Sequence, residues 1–307
     1  MISTLSGTQQ LYLANLGRTQ NQMQTAENQL SSGYRVQQAS DDPSVVAEIL
    51  QINSELGQNQ QLQTNLSSVT TELGSADTAL QSAVQDLDSA ISLGTEGASS
   101  TSSATDRANL ATQVGGILQS LVGLSQTAVN GRYIFSGGDD TQPQYQLDPT
   151  QPDGVTQLSN TPNTRMIEDG NGAPISIAMT AQEIFDARDS SGNPTSGNVF
   201  VAVSALQTAL QNNDTAGITQ AINSLQSASD TVNSALQFYG NAEDRINDAT
   251  ALAQKFQTGE QTQLGQLQDA DIPAAALQLS QTQTDEQAAL SSQAKIEQMQ
   301  NLFSYLG

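Results

Sequence analysis

Apolar residues near the start of the chain recur in alternating steps of four and three. The repeating positions are Leu5, Gln9, Tyr12, Leu16, Thr19, Met23, Ala26 and Leu30. This heptad spacing predicts an amphipathic helix with a coiled-coil-like seam. Because polar Gln9 and Thr19 interrupt the seam, several copies side by side would bury it better than one copy alone. An ordinary helix-bundle core is the plainer alternative.

A second apolar stripe runs from Val45 to Ile91 and predicts one long helix of roughly 70 Å at ~1.5 Å per residue. The small-residue stretch 94–106 predicts a turn. A third helix follows, with an apolar face from Leu110 to Ala128, and Asn130-Gly131 is a suitable end for it. Two long helices joined by a short turn favour an antiparallel hairpin.

A polar stretch, LSSGYRVQQASDDPSVVA, separates the first two helices. Gly33 suits the residue after a helix end. Asp42 can cap the next helix, with Pro43 at its first position. The stretch therefore predicts a helix end, a loop and a helix start.

The sequence pattern changes between residues 139 and 197. Helical periodicity disappears there, prolines concentrate, and apolar and polar residues alternate at period two in short runs. Helical stripes return at Val199 and continue to Phe256, and Pro273 predicts a kink or a fresh helix start. The predicted fold is mainly α with an inserted small β-rich domain. It is an elongated antiparallel helical rod whose terminal arms meet at one end. The predicted domains are 1–40 (N-terminal arm), 41–138 and 198–268 (rod), 139–197 (insertion) and 269–307 (C-terminal arm).

Composition narrows the functional classes. The 307 residues include 9 Lys and Arg against 31 Asp and Glu, a formal net charge of -22, which argues against nucleic acid and anionic membranes as partners. The absence of His and Cys removes the usual triads, thiol nucleophiles and His-based metal sites, so we expect no enzyme, no cofactor and no metal. No segment resembles a cleaved signal peptide or a membrane span.

The LSSGYRVQQASDDPSVVA stretch resembles the N-terminal signature of the bacterial flagellin family. Near the other end, LQDADIPAAALQLSQTQTDEQAAL resembles the family's Asp-Ala-Asp segment, here with Asp269 and Asp271, and NLFSYLG resembles its ending. The similarity covers both arms and the helical rod. Pro43 and GRYIFSGGDDTQPQY are more typical of the family's junction subunits, although Tyr145 stands where Phe is usual.

The resemblance implies a structural flagellar subunit that is exported without a cleaved signal peptide and located outside the cell. Its partners would be other copies of itself, the first hook-associated protein, flagellin and a cytosolic export chaperone, with no nucleic acid and no membrane insertion. Residues in three regions would carry this role. The assembly arms contain Leu5, Tyr12, Leu16, Met23, Leu30, Ile296, Met299, Leu302, Phe303 and Leu306. The arm–rod hinge contains Ser31, Ser32, Gly33, Arg35, Asp41, Asp42 and Pro43. The junction between rod and outer domain contains Gly131, Tyr133, Phe135 and Gly137.

Two other functions stay open at this point. A short flagellin that forms the filament itself would carry the same terminal signatures. A secreted helical adhesin unrelated to flagella is a more remote alternative, because the paired terminal motifs count against it.

Overall fold

The computed structural model describes residues 7–162, 165–169 and 172–306, and the side chains in these ranges apart from those of Thr8 and 296–306. The described chain is mainly helical. Its helices are α1 (Gly7–Ser32), α2 (Pro43–Ala98), α3 (Ala104–Ser125), α4 (Ala181–Phe185), α5 (Val199–Gln211), α6 (Thr215–Gln268) and α7 (Ile272–Leu306).

Short antiparallel strand pairs lie between α3 and α4. They are β1 (Ala128–Val129) with β2 (Arg132–Tyr133), β3 (Tyr145–Leu147) with β4 (Val155–Gln157), and β5 (Met166–Glu168) with β6 (Pro174–Ser176). The prediction of a mainly α fold with a small β-rich region is therefore confirmed.

Two predicted helix ends are wrong. The turn expected from residue 94 begins later, because α2 continues through Gly94 and Gly97 to Ala98. A Cβ at Gly97 would lie 2.4 Å from Leu210 Cδ2, so this glycine permits close helix packing and does not end the helix. Asn130-Gly131 does not end α3. Both residues have positive φ (52° and 79°) and form the turn between β1 and β2.

Other helix ends agree with the sequence. Pro273 lies in the first turn of α7, so it marks a fresh helix start and not a kink. α2 begins at Pro43, and α1 ends at Ser32, directly before Gly33 with its φ of 78°.

The chain divides into two compact units. The terminal unit comprises residues 1–58 and 256–307, and the central unit comprises residues 59–255. The predicted domain boundaries stay predictions.

In the terminal unit, α1 and α7 pair antiparallel. Near the start of α7 the Ala270 N–H donates to the Gly33 carbonyl at 2.9 Å, and further along Gln20 Nε2 donates to Glu286 Oε1 at 3.0 Å. The predicted meeting of the two ends of the chain is thus present within this unit.

In the central unit, segments of α2, α3, α5 and α6 share one apolar core with the strand pairs. Five aromatic side chains, Phe135, Tyr145, Phe185, Phe200 and Tyr239, are almost fully buried in it. The rings of Phe135 and Phe185 meet edge to face at 6.1 Å, and those of Phe185 and Phe200 stack at 5.9 Å.

Candidate functional site

The seam predicted on α1 faces α7. Its described positions Tyr12, Leu16, Thr19, Met23 and Leu30 are half-buried, and Ala26 is fully buried. Gln9 is exposed. The heptad spacing therefore identifies the side of α1 that packs against α7. The interface between the two helices buries little apolar surface, because most seam side chains are only half-buried.

The matching face of α7 repeats at the same steps of four and three. Its buried and half-buried positions are Ala275, Leu279, Thr282, Glu286, Ala289 and Gln293. This seam was not predicted, because its side chains are mostly small or polar and form no stripe of large apolar residues. The spacing itself was the available signal.

Large apolar side chains remain exposed on both arms. Leu11 is 65% exposed and Leu13 51% on α1, while Leu277 is 69% exposed and Leu290 52% on α7. Among the described residues, eight of the ten exposed large hydrophobic side chains belong to the terminal unit. Five of these eight side chains lie on α1 and α7, and such a concentration of exposed apolar side chains is typical of a protein-interaction surface.

Several predicted arm residues lie outside what the structure describes. Leu5 precedes the described range. The side chains of Ile296, Met299, Leu302, Phe303 and Leu306 are likewise not among those described.

The predicted hinge residues form a polar cluster. Ser31 is exposed, and Ser32 Oγ donates to the Asn28 carbonyl at 2.7 Å and accepts from the Tyr34 N–H at 3.1 Å. Asp41 Oδ2 accepts from the backbone N–H groups of Gln37 and Gln38, both at 2.9 Å. These two bonds hold the pKa of Asp41 below its ordinary value.

Asp42 fulfils its predicted role as a helix cap. Its carboxylate accepts from the Ser44 N–H at 3.3 Å and from Arg35 Nη1 at 2.8 Å. The bond from Arg35 is the main cause of a lowered pKa at Asp42, and bonds from Ser44 add to it.

The C-terminal family motif lies next to this hinge. Asp269 forms an isolated antiparallel bridge with Tyr34. Asp271 Oδ1 accepts from the Ala274 N–H at 3.0 Å and so caps the first turn of α7. The structure thus brings Asp269 together with the hinge, a proximity that the sequence analysis had not predicted.

The four predicted junction residues have separate roles in the central unit. Gly131 is the second residue of the β1–β2 turn, and Tyr133 is half-buried in β2. Phe135 is fully buried, and its ring lies 6.1 Å from that of Tyr239. Gly137 has a φ of 67°, and a Cβ there would lie 2.4 Å from the Thr161 carbonyl oxygen, so the backbone requires glycine.

A buried polar cluster in the central unit was not predicted. The Tyr145 hydroxyl donates to Asp186 Oδ2 at 2.7 Å, and Asp186 also accepts from Arg188 Nε at 2.8 Å and Asn198 Nδ2 at 2.6 Å. Asp186 is fully buried. Burial and the neighbouring Asp186 carboxylate raise the pKa of Tyr145 well above its ordinary value. The Tyr145 hydroxyl, which the usual phenylalanine would lack, therefore forms a buried hydrogen bond in this protein.

No group of three potential metal-ligating side chains occurs in the described part of the chain. None of its helices combines the length and the apolar character needed to cross a membrane.

Comparison with known proteins agrees with the motifs. The family described as "Bacterial flagellin N-terminal helical region" matches residues 2–140. Flagellar hook-associated protein 3 of Salmonella typhimurium is 28% identical over 219 residues, which cover 67% of this chain and 68% of that protein.

Solved structures show the same fold. A Vibrio parahaemolyticus protein assigned to the flagellar hook-associated proteins superposes with a TM-score of 0.65 at 21% identity, covering 75% of this chain and all of that one (100%). Hook-associated protein 3 of Legionella pneumophila gives 0.62 at 14% identity, covering 71% and 98% of the two chains. FlgL of Bacillus cereus gives 0.57 at 15% identity, covering 70% and 98%.

The resemblance to the bacterial flagellin family is therefore confirmed: residues 2–140 match the family's N-terminal helical region, and the chain has the fold seen in flagellar hook-associated protein 3.

Proposed function

We propose that this chain is a structural subunit of the bacterial flagellum that joins the hook to the filament. The observation that carries the proposal is the similarity to a Salmonella typhimurium hook-associated protein 3 over two thirds of both chains. In this role the chain is not an enzyme. It contacts the first hook-associated protein on one side, flagellin on the other and further copies of itself laterally.

The terminal unit supports an assembly role. Along the described side chains of α1 and α7, those that are buried are Ala26, Ala275 and Thr282. Burial of apolar surface is the main stabilising contribution in helix pairing, and this seam offers little of it. Additional partners packed on the exposed leucines would supply the missing burial. Residues 1–40 and 269–307 act as the assembly arms in this proposal.

The proposed junction role also determines where the subunit resides. The subunit resides in the flagellum outside the cell and reaches it through the flagellar export apparatus without a cleaved signal peptide. A cytosolic chaperone holds the C-terminal helix before export, which keeps its exposed leucines, such as Leu277 and Leu290, from aggregating.

The test uses purified full-length chain and electron microscopy. Hook ends that carry the first hook-associated protein are incubated with the chain and then with flagellin. We expect the chain to cap the hooks, to stop there and to permit filament growth. Long filaments formed by the chain alone would instead identify it as flagellin, and no binding to hooks or filaments would favour an adhesin.

A matched pair of variants links the result to the arms. Leu277→Asp places a charge on the exposed face of α7 and is expected to abolish capping. Leu158→Asp makes the same change at an exposed position of the central unit, 45% accessible, and is expected to leave capping intact. If both variants cap hooks equally well, or both fail to cap them, the arms are not the assembly surface.

A further inference from the structure

Arg107 is a buried cation of the central unit. It lies near the start of α3 and is 7% exposed. Among the described residues no ion pair includes it, so no carboxylate neutralises this guanidinium. A charge is costly to bury without a partner, and a cation near the N-terminus of its own helix is also unfavourable. Other polar groups therefore have to compensate for the burial of Arg107.

The end of α2 supplies two of the compensating acceptors. Arg107 Nε donates to the Gly97 carbonyl at 2.6 Å, and Arg107 Nη2 donates to the Ser99 carbonyl at 2.9 Å. Gly97 lies in the last turn of α2, and Ser99 directly follows this helix. Carbonyl groups at a helix C-terminus have no partner within the helix and carry partial negative charge. Because both bonds are local in sequence, the turn between α2 and α3 can hold the guanidinium by itself.

The third bond of Arg107 reaches a distant part of the chain. Arg107 Nη1 donates to Asn213 Oδ1, across 106 residues of sequence. Asn213 lies in the turn between α5 and α6 and has a φ of 55°, a left-handed conformation that asparagine adopts more readily than most residues. Its backbone N–H donates to the Leu210 carbonyl at the end of α5, at 3.2 Å. The backbone of Asn213 thus belongs to its own turn, and its side chain connects that turn to Arg107.

Apolar contacts hold the same two turns together. A Cβ at Gly97 would lie 2.4 Å from Leu210 Cδ2, and one at Gly94 would lie 2.9 Å from Ile222 Cγ1, so this end of α2 is packed closely. Such packing supplies most of the stabilisation, but aliphatic side chains can repack with little loss, whereas a forked donor requires one geometry. Arg107 is therefore suited to specify an orientation and less suited to supply bulk stability.

We propose that Arg107 is a positioning residue of the central unit. The end of α2 presents its guanidinium, and Asn213 is the acceptor that it selects, so that the turn between α5 and α6 docks in one orientation. The apolar contacts supply the attraction between the two turns, and the bond from Arg107 to Asn213 supplies the orientation. This role concerns the central unit alone and does not depend on the proposed assembly function.

The first experiment measures the coupling between the two side chains in the full-length chain. Arg107→Met keeps the aliphatic stem and removes the fork, and Asn213→Gly removes the acceptor while suiting the positive φ. Amide hydrogen exchange of α3 and α5, which lie within the central unit, gives the protection lost in each variant. We expect the double variant to lose less protection than the product of the two single losses, by more than about two-fold, which is the scatter of independent sites.

The second experiment measures orientation directly. Backbone amide resonances of residues 212–215 are expected to form one set in the parent chain. In Arg107→Met and in Asn213→Gly we expect additional sets or broadened lines, because the turn then samples several orientations. Arg107→Lys keeps the charge without the fork and should give an intermediate result. Asn213→Asp keeps an acceptor for the guanidinium and should restore a single set.

Arg132→Met is the matched control, because it removes another arginine of the central unit. The Arg132 side chain is 65% exposed and pairs with Asp140 at 2.6 Å. We expect Arg132→Met to leave the resonances of residues 212–215 as a single set and to show no coupling to Asn213→Gly.

Three outcomes would overturn the proposal: additive losses in the double variant, a single set of resonances in Asn213→Gly, or equal heterogeneity in Arg132→Met. Asn213→Gly decides the matter if Arg107→Met fails to fold, because it leaves the buried cation and its bonds to α2 in place. Neither experiment uses hooks or flagellin. A chain that fails to cap hooks but shows the expected coupling would refute the proposed function and leave the role of Arg107 standing.

Discussion

The central unit buries five aromatic side chains around Phe135 and Phe185, and the neighbouring ring centroids lie 5.3–6.1 Å apart. In the terminal unit, the described parts of α1 and α7 bury two alanines and a threonine. The central unit therefore contains the apolar area that an independent fold requires, and the terminal helices expose much of theirs. The difference supports the proposal that the central unit is self-sufficient and that the terminal unit gains stability from assembly partners.

The largest expected effect comes from matched Phe→Ala changes in the two units. Phe135 is 0% exposed and Phe256 is 42% exposed. Phe135→Ala is expected to lower the free energy of unfolding of the central unit by about 3–5 kcal/mol, because it leaves a cavity among packed rings. Phe256→Ala is expected to cost less than about 1 kcal/mol in the isolated chain. Urea unfolding followed by circular dichroism measures both, and equal losses would erase the proposed contrast.

The next effect tests the polar cluster of the central unit. Tyr145→Phe keeps the ring but removes the bond from the hydroxyl to the buried Asp186 carboxylate. We expect it to lower the free energy of unfolding by about 1–3 kcal/mol, as for a hydrogen bond to a charged group. Tyr133→Phe, in half-buried β2, is the control and should change stability by less than about 0.5 kcal/mol. A neutral Tyr145→Phe would show that the cluster does not stabilise the unit.

A smaller effect, of opposite sign, is expected in the terminal unit. Glu286 occupies a half-buried seam position on α7, where a charged side chain limits apolar contact. Glu286→Leu is expected to stabilise the α1–α7 pair by about 1 kcal/mol, after loss of the bond from Gln20. Asp285→Leu removes the same charge at the adjacent exposed position and should not stabilise it. Amide hydrogen exchange measures the protection of α1 and α7 in the two variants. Equal protection in Glu286→Leu and Asp285→Leu would contradict the assignment of position 286 to the seam.

Sequence patterns predicted the helices well where spacing and local chemistry agree. The heptad of α1, the cap at Asp42 and the fresh start at Pro273 depend on neighbouring residues, so one sequence contains the whole signal. The glycines at 94 and 97 misled the prediction because their cause is tertiary. Each accommodates a side chain of a distant helix, such as Leu210, which local composition does not reveal.

The candidate site was predictable in its location but not in its contacts. The motifs singled out residues 31–43, whose role as a hinge stays a prediction, and the segment around Asp269, far apart in the chain. Their hydrogen bonding to each other could not be derived from either stretch alone. The small-residue seam on α7 was also missed, because alanine and threonine become an interface only where a second helix approaches closely.

The smallest expected effect is the response of the hinge to acid. The carboxylate of Asp41 accepts two backbone N–H bonds, which lower its pKa below the ordinary value of 3.8. A folded-state pKa below the unfolded value means that the stabilisation is complete above about pH 3.8 and is lost as the pH falls through the lower folded value. The amide chemical shifts of Gln37 and Gln38 should therefore titrate with a midpoint below 3.8. Asp41→Asn should abolish this titration, whereas a midpoint at or above 3.8 in the parent would show that the bonds do not favour the charged carboxylate.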